Sequence, residues 1–125
     1  MHIKKIIILL LIIGGLFVGH SLQAKPPIFL YNYNEAIKVS QELNQPMIVI
    51  FSADWCSYCV KLKKHISNNL AKFEDTTICI IDIDQDKATA QKYGVSKIPR
   101  SIFLNRQGKK TKDITGYFNV DSLGK

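Results

Sequence analysis

The chain has 125 residues, 46% of them apolar, with 17 basic against 10 acidic side chains and a formal net charge of +7: enough hydrophobic material for one packed domain and too little length for two. The positive charge is dispersed over Lys61, Lys63 and Lys64, Lys92 and Lys97, and Lys109, Lys110 and Lys112, without the dense basic stripe and interleaved aromatics of a nucleic-acid reader. Three cysteines, Cys56, Cys59 and Cys79, are too few for a disulfide scaffold, and their odd number leaves one thiol over.

Residues 1–24 have the three-part layout of a secretory leader: Lys4 and Lys5, an apolar run over 6–18, and a segment ending in Leu22, Gln23 and Ala24. Cleavage after Ala24 is expected, giving an exported, periplasmic chain. The alternative is a retained anchor through 6–18, which is short against the roughly 20 apolar residues of a spanning helix. Without the leader 15 basic residues face 10 acidic ones, a net charge of +5. Residues 25–31 read as a proline-stiffened linker and a short first strand, and 32–125 as the domain proper. Asn32 is a candidate N-cap with Glu35 at capping-box spacing, opening a helix over 33–43 that Asn44 and Pro46 stop. The continuous apolar run over 47–52 fits a central strand covered on both faces. A helix is expected over 56–70, a strand over 76–83, and a short helix over 85–93 closed by Gly94. Strands over 101–105 and 110–115 flank an Asn-Arg-Gln-Gly turn, and 120–124 allows only a stub of helix. Strands alternating with helices imply parallel crossovers, and the last hairpin adds antiparallel strands.

Cys56 stands where the run 47–52 turns into the helix, and Cys59 lies one turn on. The unpaired N–H groups and partial positive charge of a helix start stabilise an anion, and the thiolate is the nucleophile of disulfide exchange. Cys56 is therefore read as the attacking thiol and Cys59 as the resolving one. Cys59, Leu62, Ile66 and Leu70 share one helix face. A haem-attachment motif would need His where Val60 stands, and a structural zinc site needs four ligands, so no metal or other cofactor is expected beyond the Cys56–Cys59 pair. Cys79, flanked by isoleucines, reads as core. His65 lies nine residues past Cys56 and faces away from it. Asp82, Asp84 and Asp86 read as solvated acids and the cap of the following helix.

Trp55-Cys56-Ser57-Tyr58-Cys59, the run from Tyr93 to Pro99, the hairpin from Phe103 to Lys109 and the late Gly116 together resemble the thioredoxin superfamily, in particular exported thioredoxin-like proteins of the Dsb type. The resemblance implies an α/β thioredoxin fold: a central mixed sheet of four to five strands flanked by helices and a C-terminal β-hairpin, with the family's closing helix short or missing in this sequence. It implies a cis peptide at Ile98–Pro99 beside the sulfurs, with Trp55, Ser57, Tyr58, Ile98, Pro99 and Arg100 meeting the substrate, Arg100 biasing partners toward acidic segments. The sequence departs from the family in further respects. Ile50 replaces the family's buried carboxylate six residues before the first cysteine, and the exposed Asp54 is no obvious substitute. Lys64 replaces a helix-kinking proline, and the proline of C-G-P-C is absent. The expected activity is thiol–disulfide exchange with protein partners by a monomer, with Ile98 favouring a reductase fed by a membrane electron donor. A disulfide-forming oxidase or isomerase is the first alternative, and a non-catalytic binding or chaperone module the second.

Overall fold

A computed structural model of the chain describes residues 22–124. All but the last three residues of the expected leader lie outside the described residues. No helix of the described residues is long and apolar enough to cross a membrane. In chain order the elements are β1 (Ile28–Leu30), α1 (Tyr33–Glu42), β2 (Met47–Ser52), α2 (Ser57–Ser67), β3 (Thr77–Asp82), α3 (Lys87–Lys92), β4 (Arg100–Leu104) and β5 (Lys110–Thr115), with 3₁₀ turns at Leu70–Phe73 and Val120–Leu123. The five strands form one mixed sheet in the order β1-β3-β2-β4-β5. β1 and β2 run parallel to β3, whereas β4 is antiparallel to β2 and β5 to β4.

β2 is the axis of the molecule, and all six of its residues are buried. Side chains alternate along a strand, so the run divides between two cores. Met47, Val49 and Phe51 join Ala36 of α1, Cys79 and Ile81 of β3, and Ala90 of α3. Ile48 and Ile50 join Leu62 and Ile66 of α2, together with Phe73, Ile78, Phe118 and Val120. An uninterrupted apolar strand is what a sheet covered on both faces requires.

The helix boundaries have local causes. Asn32 Oδ1 accepts from the Glu35 N–H at 3.0 Å, and α1, with Leu43 as its C-cap, stops short of Asn44, which sits at φ +50°. Asp86 caps α3, accepting from the N–H and hydroxyl of Thr89 at 3.0 and 2.6 Å; these bonds hold its carboxyl below the ordinary value. In the hairpin turn Asn105 Oδ1 takes the N–H groups of both Gln107 and Lys109, and Gly108 supplies φ +77°. One boundary corrects the sequence reading. α2 spans Ser57–Ser67 rather than 56–70: the chain breaks at Asn69 (φ −132°) and re-enters as a 3₁₀ turn. This turn buries Phe73 and leaves Leu70 39% exposed.

Candidate active site

β2 ends at Ser52, and after four intervening residues the chain starts α2. Cys56 is the N-cap of that helix, in extended conformation, and its Sγ accepts from the Cys59 N–H at 3.2 Å. No acidic side chain lies in the first turn of α2 to oppose a negative charge at Cys56. Cys56 and Cys59 are joined as a disulfide, with Cα atoms 5.2 Å apart. They differ in access: Cys56 is 9% exposed and Cys59 1%. In the reduced state the N–H groups of the first turn, that of Cys59 foremost, are placed to hold a Cys56 thiolate.

The two sulfurs pack against Ala53, Ile83 and Ile98. The Ile98–Pro99 peptide is cis and enters β4 directly. The Pro99 carbonyl is taken by the Gly116 N–H at 2.7 Å, while among the described residues neither the N–H nor the C=O of Ile98 has a backbone partner. The sheet therefore presents an unpaired peptide edge beside the disulfide. Trp55 and Tyr58 flank it, 70% and 63% exposed, and Ser57 is also exposed.

Arg100 is placed differently from expectation. Its Nε and Nη2 donate to the two carboxylate oxygens of Asp113 at 3.0 and 2.8 Å. Its Nη1 donates to the carbonyls of Tyr93 and Gly94 at 2.7 and 3.1 Å. A guanidinium so engaged is spent on tying β4, β5 and the end of α3 together, not presented to acidic partners. The Arg100 hydrogen bonds hold the Asp113 carboxyl down at about 2, and the same pair raises Arg100.

Three further side chains matter that sequence reasoning did not single out. Asp84, read as a solvated acid, accepts from the Trp55 indole N–H at 2.8 Å. Ser52 and Ser101 are buried, and their hydroxyls have no hydrogen-bond partner among the described residues. Nothing in the spacing of Asp84 marks it, but serines in otherwise apolar strand runs are a visible signal. Two other groups lie away from the sulfurs. Cys79 is fully buried in the opposite core; burial, then Asp86 and Glu35, push its thiol up to about 12, so it is no nucleophile. His65 faces the C-terminal segment, its Nε2 accepting from the Val120 N–H at 3.2 Å.

Comparison with known proteins converges on one family. A sequence model described as a thioredoxin-like domain matches residues 33–125. The thioredoxin of Chlamydia caviae is 32% identical over 77 residues, covering 62% of this chain and 74% of that protein. The Chlamydia muridarum thioredoxin is 34% identical over 79 residues, covering 63% and 76%. Among solved structures, a thioredoxin variant from Halobacterium salinarum superposes with a TM-score of 0.66 at 28% identity, covering 81% of this chain and 88% of that one. A thioredoxin from Nicotiana alata gives 0.65 at 29% identity, covering 84% and 92%.

Proposed function

The chain belongs to the thioredoxin-like domain family and is a thiol–disulfide oxidoreductase, and from that premise we propose that it reduces disulfides of exported proteins in the periplasm. The observation that carries the reading is Cys56 as N-cap of α2, its sulfur on the Cys59 N–H, beside the unpaired backbone of Ile98. The Cys56 thiolate attacks a partner disulfide, and one partner sulfur leaves as a thiolate. The resulting mixed disulfide lies along the edge at Ile98 and Pro99, bordered by Trp55, Ser57 and Tyr58. Cys59 then attacks Cys56, closing the Cys56–Cys59 bond and releasing the second partner sulfur. Two electrons pass from the dithiol to the partner, and no cofactor enters. Recharging needs a dithiol donor, for which a membrane protein of the same compartment is suited. Ile98 before the cis-proline resembles the residue of reducing thioredoxins and supports the reducing direction; oxidation of folding proteins is the reverse of the same exchange. Residues 1–24 act as the leader that places the chain outside the cytoplasm, and the released domain works as a monomer.

The test is reduction of insulin disulfides by the chain with a dithiol supply. Cys56→Ser is expected to abolish turnover, and Cys59→Ser to stop after the first attack and accumulate mixed disulfides. A Cys56→Ser protein as active as the parent rejects the reading. Equilibration with glutathione decides direction: a potential near about −270 mV marks a reductant, and one near about −120 mV an oxidant.

A further inference from the structure

Resolution by Cys59 requires its thiol to lose a proton, yet Cys59 is 1% exposed and Ile50, also 1% exposed, stands where the family carries a carboxylate. The structure holds an unexplained polar group on the same side. Ser52 is 2% exposed with an unpartnered hydroxyl. Leaving a buried hydroxyl without a partner is costly, and such a group calls for an explanation. Along β2 it alternates with Ile48 and Ile50 onto the sheet face that Leu62 and Ile66 of α2 cover. Cys59 belongs to that same helix face and packs on Ala53, the next residue after Ser52.

Ser52 is also the inner wall of a cleft of about 250 Å³ whose other polar or charged borders include Tyr31 after β1, Asp54 before α2, Lys63 of α2, Asp82 of β3 and Asp86 before α3. A cleft of that size and polarity takes water. Three carboxylates face it, and their hydrogen bonds separate them. Asp86 has both oxygens engaged by Thr89. Asp54 is exposed. Asp82 is the Cα partner of Ser52 in the parallel β2–β3 register, so the two side chains stand on one face side by side. Its Oδ1 accepts from the Asp84 N–H at 2.8 Å, and among the described residues no hydrogen bond reaches Oδ2.

We propose that Ser52 and cleft water relay the Cys59 proton to the carboxylate of Asp82, which does from the neighbouring strand what Ile50 cannot do. The inference deepens the exchange reading above and rests on it. A serine hydroxyl accepts and donates at once, so it passes a proton without itself being a base. The Cys59 proton moves to Ser52 Oγ as that hydroxyl gives its own to water and on to Asp82. The Cys59 thiolate attacks Cys56 Sγ, the Cys56–Cys59 bond forms and the Cys56–partner bond breaks. The electron pair leaves on the partner sulfur, which takes a proton from solvent, and Asp82 returns its proton to solvent.

The test mixes the reduced chain with a nitrobenzoate disulfide that releases one coloured thiolate when Cys56 attacks and another when Cys59 resolves. In Ser52→Ala and Asp82→Asn the first release is expected to keep its rate and the second to slow about tenfold near neutral pH. The gap narrows as the pH rises, because hydroxide then takes the Cys59 proton without the relay. Ser52→Thr, which keeps a hydroxyl, restores the second release. A second release at the parental rate and pH profile in either Ser52→Ala or Asp82→Asn overturns the relay. Equal slowing of both releases at every pH also overturns it, making these packing residues. Should Ser52→Ala fail to fold, Asp82→Asn at the rim decides alone. Absence of Cys56-dependent release in the parent chain is a distinct result, and it removes the exchange reading together with the relay.

Discussion

Trp55 is 70% exposed, and an exposed indole beside a reactive sulfur sweeps many orientations unless something holds it. Asp84 holds it, through the 2.8 Å bond from the indole N–H. Because the bond lies at the surface its worth to stability is small, about 1 kcal/mol or less; its worth to function is a fixed wall for the docking edge. Asp84→Ala is therefore expected to leave the unfolding midpoint nearly unchanged and to loosen the indole. Trp55 is the only tryptophan of the chain, so fluorescence anisotropy reads its motion directly; unchanged anisotropy in the variant would refute the tether. At this scale the sequence displayed the reactive atoms and hid their attendants. Cys56, Cys59 and Pro99 are marked by motif and by position at element ends. Asp84 is separated from Trp55 by 29 residues and Asp113 from Arg100 by 13, and local pattern does not say which acid meets which donor. For that reason the pairing of Arg100, expected to bias partners toward acidic segments, with Asp113 was not visible in the sequence.

Elements were more legible, because strand and helix periods and caps are local. The six-residue apolar run became β2, and Asn32 and Asp86 cap the helices they precede. The end of α2 was not legible, since Leu70 continues the apolar face; the helix stops earlier, and the 3₁₀ turn that follows buries Phe73 instead. Between β4 and β5 the Arg100–Asp113 pair carries a pH signature. The Asp113 carboxyl lies at about 2 in the fold against an ordinary 3.8. A depressed folded value adds stability above the unfolded value and loses it as pH falls through the folded one. Asp113→Asn is thus expected to melt below the parent at pH 5 to 7, the difference shrinking from about pH 4 and vanishing near pH 2. Thermal unfolding of both proteins across that range checks it; a constant difference would mean that the pair's charge is not what binds the hairpin.

The whole molecule is two cores pressed on a single strand, and the active site is where one of them reaches the surface. Leu62 and Ile66 anchor α2 on Ile48, Ile50 and Ile78, while Cys56 and Cys59 occupy the start of the same helix. Docking of α2 therefore fixes the fold beneath the site, while the cap at its start is held by the first turn's own hydrogen bond from the Cys59 N–H to Cys56 Sγ. Truncating a fully buried leucine costs about 2–5 kcal/mol, and in a domain of this size each kcal/mol moves the midpoint by about 4–8 °C. Leu62→Ala is expected to lower the unfolding midpoint by at least about 8 °C. Lys64→Ala, on the solvent side of the same helix, should change stability by no more than about 0.5 kcal/mol. The cysteines keep their covalent chemistry, because the Cys56 cap depends on the first turn and not on Leu62. Below its midpoint the Leu62→Ala protein should still reduce insulin, and activity should fall with the folded fraction as temperature rises. If activity is lost while circular dichroism still reports the folded state, the helix start is positioned by the core beneath Leu62 and not by its own first turn.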